Sequence, residues 1–416
     1  MSLISAKVAA FPPAAQAVFS IALMLFFGFL MTRLTKLAKL PNVTAYILTG
    51  ILLGPCCLRM IPARIVSELD AVPDVALALI AFGAGEHFRL DVLRKNSSGV
   101  LLITVLESFT ASLCVFLTCN FLLGLSLAFS AMLAALAAAT APASTILTIR
   151  QTGASGDFVD TLLQVVALDD AAGLIAYSAA VSLALYSLGS GGSAVHAVVR
   201  PILANLLALF LGALFGLCLK LLLRRRSDDN RLILSVSMLL GFCGICALLE
   251  ISPLLGCMSM GMVYSNLTGD HILFRQLECF SPPILLLFFV KSGLDFRLDT
   301  LFSAQNPTTS VPLLLVGMTY FFARIIGKYG GAYLGCLAAG KPKSIRNYLG
   351  LALIPQAGVA IGLAALGART LGGQIGTDLQ TIILASSVLY ELIGPVCAKL
   401  ALHLSGAIPQ KKSDPQ

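Results

Sequence analysis

The sequence predicts an all-α protein that crosses a membrane many times. Of its 416 residues, 58% are hydrophobic and 12% are charged, and the mean hydropathy is +0.92. A soluble protein carries about 25% charged residues, so this composition excludes a soluble globular fold. Apolar stretches recur along the whole chain, and a helix needs about 20 apolar residues to cross a bilayer. The predicted fold class is therefore a polytopic membrane protein.

Thirteen apolar stretches are predicted to be transmembrane helices. Most of the 28 Lys and Arg residues lie in the loops on one side of this arrangement. Because basic residues collect on the cytoplasmic side, the N-terminus is predicted to lie outside and the C-terminus inside. The predicted limits of the stretches are 14–32, 43–58, 71–88, 98–123, 127–149, 158–187, 198–223, 231–249, 252–266, 277–296, 311–338, 344–369 and 376–404.

Proline interrupts two of these stretches. Pro142 lies in the fifth and Pro355 in the twelfth, and proline breaks a helix because it lacks an amide hydrogen. Stretches seven apart run in opposite directions, which predicts two inverted repeats with crossed discontinuous helices. Broken helices at matching positions are typical of transporters. The predicted organisation is one transmembrane domain at 1–404, with repeats at 14–187 and 231–404 around a linker helix at 198–223, and a cytoplasmic tail at 405–416.

An acidic pair lies inside the sixth stretch. Asp169 and Asp170 are the only charged residues between positions 161 and 185. A carboxylate in the middle of a bilayer costs on the order of 3 kcal/mol by insertion scales, so two adjacent ones point to function. Neighbouring helical residues point about 100° apart, so the two carboxylates face different surroundings. The pair is predicted to bind a monovalent cation and a proton in turn, by competition.

Polar groups beside Pro142 are predicted to complete this site. Thr140 and Ser144 carry hydroxyls, and a broken helix exposes backbone carbonyls. Both are suitable ligands for a hard monovalent cation. Gln356, next to Pro355, is predicted to lie at the same depth.

Charged residues at membrane depth are predicted to support the acidic pair. Arg324 is near the centre of its stretch and is predicted to pair with Glu107 or Asp169, because an isolated guanidinium would be costly there. Lys328 lies one turn farther along and could replace it or reach the surface. Two further residues each keep two interpretations. Lys291 either reaches the membrane surface or supports the acidic pair, and Glu391 either makes a structural pair or lies on the ion path.

The chain resembles the monovalent cation:proton antiporter superfamily, in particular its Kef-like and Nap-like bacterial branch. The resemblance implies the sodium/proton antiporter fold, a homodimer and a mobile core that moves like an elevator. It implies that Asp170 is the ion-binding aspartate with Asp169 beside it, that Thr140 lies at the crossing, and that Arg324 is the basic residue of the eleventh helix. The matching pieces are LPNVTAYILTGILLGP (40–55), LALIAFGAGEHF (77–88), ATAPASTILTIRQTGA (139–154), QVVALDDAAGLIAYS (164–178), LLFFVKSGLDFRL (286–298) and IPQAGVAIGLA (354–364).

The residues and the resemblance together favour a secondary antiporter that exchanges a monovalent cation for H⁺ in a bacterial inner membrane. Na⁺ is the first candidate, with Li⁺ and K⁺ as the others. No enzymatic activity, bound cofactor or nucleic-acid partner is expected. An Arg at position 324 never releases its proton, which favours electroneutral exchange unless Lys328 or Lys291 supplies a titrating amine.

Three other functions are weighed against sodium/proton exchange. A potassium/proton antiporter would share every feature above. A sodium-coupled organic-anion symporter on a related fold would have polar sodium sites without adjacent carboxylates. A sensor that no longer transports would have lost the acidic pair.

Overall fold

The chain is helical throughout its described parts, which confirms the predicted all-α class. The computed structural model describes residues 12–37, 41–55, 57–86, 88, 90–187, 194–223, 227–249, 251–302 and 311–408, and no strand occurs among them. Most of the predicted tail after residue 404 therefore lies outside the described residues.

Nine helices make up the first part of the described chain. A π-helical turn at Thr118–Leu122 extends the fifth of them. The helices are α1 (Pro13–Leu37), α2 (Asn42–Leu53), α3 (Ala63–Glu68), α4 (Val72–Gly85), α5 (Leu90–Leu117), α6 (Leu127–Ala138), α7 (Pro142–Thr152), α8 (Asp157–Ser187) and α9 (Ala194–Leu223).

Ten more helices follow in the described residues. The pair α12 and α13 is bent by 50° at Ser281. These helices are α10 (Asp228–Leu248), α11 (Leu254–Thr268), α12 (His271–Phe280), α13 (Pro282–Leu294), α14 (Leu298–Leu301), α15 (Leu313–Ala338), α16 (Lys343–Arg346), α17 (Leu349–Ala352), α18 (Gly358–Leu371) and α19 (Gly373–Leu404).

Each of the thirteen predicted stretches overlaps at least one of these helices. By length and composition, five helices of the described chain can each cross a membrane, or six if α12 and α13 form one span. The others include shorter apolar helices such as α2, α4, α6 and α18. The number of thirteen crossings and the inverted repeat remain predictions.

The backbone leaves the helix at both interrupting prolines, and the two breaks touch. α6 ends at Ala138 and α7 begins at Pro142, where a missing amide hydrogen is tolerated at the first helical position. The second break separates α17 from α18. The amide of Ala141 donates a hydrogen bond to the carbonyl of Pro355 at 2.9 Å. This contact brings the interrupted segments of two distant parts of the chain to one place.

A stripe of small residues lets α15 pack closely against α5. Gly327, Gly331 and Gly335 recur at every fourth position, the spacing that allows helix backbones to approach in membranes. A Cβ added to Gly331 would lie 2.5 Å from the Cα of Glu107. The same close approach places Lys328 of α15 opposite Glu107 of α5.

Candidate functional site

The guanidinium of Arg324 joins the two helix breaks. Its Nη1 and Nη2 donate to the carbonyls of Ile354 and Ala139, each at 2.7 Å. Its Nε donates to the carbonyl of Ala137 at 3.0 Å. These oxygens belong to segments where a helix ends, so the charge meets the negative end of a helix dipole. The ring of Tyr390 lies 4.6 Å from Cζ of Arg324 and covers one face of the guanidinium.

The expected pairing of Arg324 with Glu107 or Asp169 is wrong. Within the described part of the chain, no carboxylate lies at salt-bridge distance from Arg324, and its fork of donors is occupied by backbone carbonyls. Lys328, one turn along α15, contacts both carboxylates instead. The sequence showed two basic residues on one helical face, but only the position of α5 and α8 decides which one meets the acids.

The amine of Lys328 is surrounded by oxygen atoms and is fully buried. Its Nζ lies 2.8 Å and 3.0 Å from the two carboxylate oxygens of Glu107 and 2.9 Å from Oδ2 of Asp169. It also donates to the carbonyl of Ala138 at 2.5 Å and contacts Oγ1 of Thr140 at 3.0 Å. A protonated amine has three hydrogens, so these acceptors exceed what it can bond at one time.

Asp169 is satisfied on both of its carboxylate oxygens. The hydroxyl of Thr140 donates to Oδ2 at 2.6 Å, beside the contact with Lys328. The hydroxyl of Ser108 lies 3.1 Å from Oδ1 and 3.2 Å from Oε1 of Glu107, so it bridges the two acids. Asp169 is therefore held in a hydrogen-bonded cluster with Thr140, Ser108 and Lys328.

Asp170 has different surroundings from its neighbour. Asp170 is 3% exposed as a residue, and among the described residues none hydrogen-bonds to its Oδ1. Asp170 is one of the residues that line a small pocket, and the others are apolar. They lie on α4, α8, α11 and α18 and include Leu77, Leu174, Leu254 and Val359. A buried carboxylate oxygen without a donor is costly, and a proton or a cation would relieve that cost.

The other expected supporting residues lie around this centre. Gln356 donates to the carbonyl of Leu136 at 2.6 Å and accepts from the hydroxyl of Tyr320 at 3.1 Å, so it helps to hold the crossing. Ser144 donates to Oε1 of Glu391 at 2.7 Å and thus contacts that acid on α19. The hydrogen bond of Ser144 is therefore directed to Glu391 and not to the acidic pair.

Lys291 belongs to a separate group near the end of α13. Its Nζ lies 2.9 Å from Oδ2 of Asp295 and 3.0 Å from Oδ1 of Asp70. Both acids are partly exposed, and neither belongs to the cluster around Lys328. Lys291 thus has its own partners at the helix end.

Several residues of the centre were not singled out from the sequence. Ser108 follows Glu107 directly, and Tyr320 and Tyr390 lie in apolar helices, where a lone tyrosine is usually a packing residue. The signal that could have helped is the glycine repeat of α15, since it predicts close contact with another helix. That contact makes Lys328 the natural partner of an acid on α5.

A membrane protein whose two helix breaks touch, with a buried acidic pair and a lysine beside that contact, has the architecture of a secondary transporter. The sodium/proton antiporter MjNhaP1 from Methanocaldococcus jannaschii superimposes with a TM-score of 0.73 at 21% identity, covering 94% of this chain and 99% of that one. At this identity the likeness shows the shared fold.

Two sequence matches cover nearly the whole chain. The ammonium/proton antiporter subunit AmhT from Alkalihalophilus pseudofirmus is 24% identical over 395 residues, which is 93% of this chain and 95% of AmhT. The family model for the transmembrane sodium/hydrogen exchanger matches residues 20–402. The chain therefore belongs to the sodium/hydrogen exchanger family. It is an integral membrane cation/proton antiporter and not an enzyme.

Proposed function

We propose that the protein exchanges Na⁺ for H⁺ and that Asp170 is the group that the two ions share. The observation that carries this proposal is the contrast within the acidic pair. Asp169 has a donor on each oxygen, whereas Oδ1 of Asp170 has no hydrogen-bond partner among the described residues. A carboxylate in an apolar pocket is stable when neutralised, and either a proton or a monovalent cation neutralises it.

The second carboxylate and the helix break would complete the cation site. Oδ2 of Asp169 and the hydroxyl of Thr140 are 2.6 Å apart, and Thr140 lies in the break between α6 and α7. Oxygen ligands of this kind suit a hard cation. When a cation binds, Asp169 can turn toward it and share less of its charge with Lys328, which keeps Glu107 as a partner.

Transport would follow an elevator-type motion of a core formed by α5 to α8 and α15 to α19. The two broken helices, the acidic pair and both central basic residues belong to these elements. The pocket of Asp170 has walls from this core, through α8 and α18, and from α4 and α11 outside it. Sliding of the core along α4 and α11 would move the ion between the two sides. A homodimer in a bacterial inner membrane, with the N-terminus outside, completes the proposal.

The choice of Na⁺ rests on the family and competes with other monovalent cations. K⁺ and Li⁺ fit the same ligand chemistry, and NH₄⁺ is a candidate because one relative is named an ammonium/proton antiporter subunit. The intact acidic pair argues against a sodium-coupled organic-anion symporter and against a sensor that does not transport.

The test is exchange by the purified protein in proteoliposomes that contain a pH-sensitive dye. Addition of Na⁺, Li⁺, K⁺ or NH₄⁺ should move protons, with Na⁺ acting at the lowest concentration. Asp170→Asn should abolish this response because the amide can neither bind a proton nor neutralise a cation. Asp157→Asn is the matched control, since Asp157 starts the same helix, pairs with Lys341 and has a side chain 60% exposed.

Two outcomes would contradict the proposal. Wild-type exchange by a folded Asp170→Asn protein would remove Asp170 from the ion path. A response to K⁺ or NH₄⁺ but not to Na⁺ would show that the protein is a cation/proton antiporter whose transported cation is not Na⁺.

A further inference from the structure

One salt bridge joins the proposed core to a helix outside it. Nη2 and Nη1 of Arg369, near the end of α18, lie 2.5 Å and 3.1 Å from the two carboxylate oxygens of Asp74, near the start of α4. Nη1 also donates to the carbonyl of Asp70 at 3.2 Å. Every other salt bridge among the described residues has both partners in the core or both partners outside it. The pair of Arg369 and Asp74 is therefore the charged contact that must break if the core slides along α4.

This pair lies one helical turn from the pocket of Asp170. Leu77, which lines that pocket, follows Asp74 by three residues on α4. On the facing helix α18, a Cβ added to Gly362 would lie 2.0 Å from Cδ2 of Leu77, so the glycine makes room for the leucine. The helices α4 and α18 thus pack directly against each other between the ion pair and the pocket.

We infer that Arg369 and Asp74 form a gate. Their ion pair holds the pocket of Asp170 closed at the end where α4 begins, and it opens whenever the core exposes Asp170 on that side. This inference rests on the proposed function, because it assigns a barrier to the proposed motion of the core. Sliding of α18 past α4 by one helical turn, about 5 Å, would take the guanidinium out of reach of the carboxylate. In the proposed orientation α4 begins at the outer face, so the gate faces outward.

The exposure of the pair suits a contact that breaks in every cycle. The side chains of Arg369 and Asp74 are 37% and 43% exposed, so water and salt screen their attraction. A partly exposed pair of this kind changes an equilibrium by about two- to fivefold. The pair therefore favours the closed position of the core without fixing the core there.

The test measures how fast a pocket residue reacts with a reagent from each face of the membrane. Ala81 lines the pocket and is 6% exposed, so a thiol in Ala81→Cys reacts when the pocket opens. Spheroplasts and inverted membrane vesicles that contain this protein are treated with a cationic, membrane-impermeant methanethiosulfonate. Mass spectrometry of the peptide around position 81 gives the rate separately from the native cysteines. Adding Asp74→Asn should raise the rate from the outer face about two- to fivefold and should not raise the rate from the inner face.

Two controls separate the gate from a general loosening of the protein. The double variant Asp74→Arg with Arg369→Asp carries an ion pair of reversed direction and should return the rate to about its starting value. Asp157→Asn removes an exposed salt bridge inside the core and should leave the rate unchanged. If Asp74→Asn fails to fold, Arg369→Gln removes the same pair from its other side, and its rate is interpreted in the same way.

Each outcome decides for or against the gate. A faster reaction from the outer face that the reversed pair slows again supports it. An unchanged rate, an equal rise from both faces or a rise from the inner face alone overturns it, and so does a reversed pair that reacts as fast as Asp74→Asn. Failure of the proposed function would be seen separately, because a folded Asp170→Asn protein that still exchanges Na⁺ for H⁺ refutes the role of Asp170 at any accessibility of position 81.

Discussion

Arg324 and Lys328 are one turn apart on α15, yet they have different kinds of partner. Arg324 donates to three backbone carbonyls at the ends of broken helices. Lys328 lies between two carboxylates. Backbone carbonyls do not titrate, whereas carboxylates exchange protons. The comparison teaches that the first cation joins the two helix breaks, whereas the second lies among groups that can exchange protons.

Loss of Arg324 should have the largest effect on stability. Arg324→Met would leave three buried carbonyls without donors, and each costs about 1–3 kcal/mol. We expect a loss of about 3 kcal/mol or more in the free energy of unfolding, of similar size at every pH. Thermal unfolding of the protein in detergent measures it. Arg150→Met is the control, because Arg150 is exposed on α7 and its loss should change stability by at most about 0.5 kcal/mol. Equal melting temperatures for the two variants would refute the holding role of Arg324.

Loss of Lys328 should have a smaller effect that depends on pH. Lys328→Met leaves Glu107 and Asp169 buried beside each other without a cation. Protonation neutralises a carboxylate, so the loss of stability should be greater at pH 8 than at pH 5. Melting temperatures of the variant and the wild type at both pH values measure it. If the melting temperatures of Lys328→Met and the wild type differ by the same amount at pH 5 and pH 8, Lys328 does not act through ionised carboxylates, and the contrast with Arg324 fails.

Replacement of Tyr390 should have the smallest effect. Its ring covers Arg324, and its hydroxyl donates to the carbonyl of Phe321 at 3.0 Å. A buried cation–π contact is worth about 2 kcal/mol and a hydrogen bond about 1 kcal/mol. Tyr390→Phe keeps the ring and should lose about 1 kcal/mol, and Tyr390→Leu should lose about 2–3 kcal/mol. Both should still exchange cations, since Tyr390 does not touch the acidic pair. A Tyr390→Phe protein as unstable as Tyr390→Leu would place the contribution in the hydroxyl instead of the ring.

The same comparison shows what could be predicted about the site. The depth of the charged residues followed from their positions in apolar stretches, and both helix interruptions lie at prolines. The partners of Arg324 and Lys328 could not be predicted, because residues one turn apart differ by only about 6 Å along a helix. A shift of that size between α15 and its neighbours would exchange their roles. The argument for electroneutral exchange placed Arg324 beside the aspartates, whereas Lys328 contacts Asp169, so that expectation stays a prediction.

The sequence by itself determined the membrane class, the interruptions at Pro142 and Pro355, and the acidic pair, because composition, proline and buried charge act locally. The tertiary structure alone decided which acid meets which base. The glycine stripe of α15 lets α5 approach until Glu107 touches Lys328. The contact of the two breaks exposes carbonyls of both segments to Arg324. Ion pairing depends on ångström distances between helices far apart in the chain, and packing sets those distances.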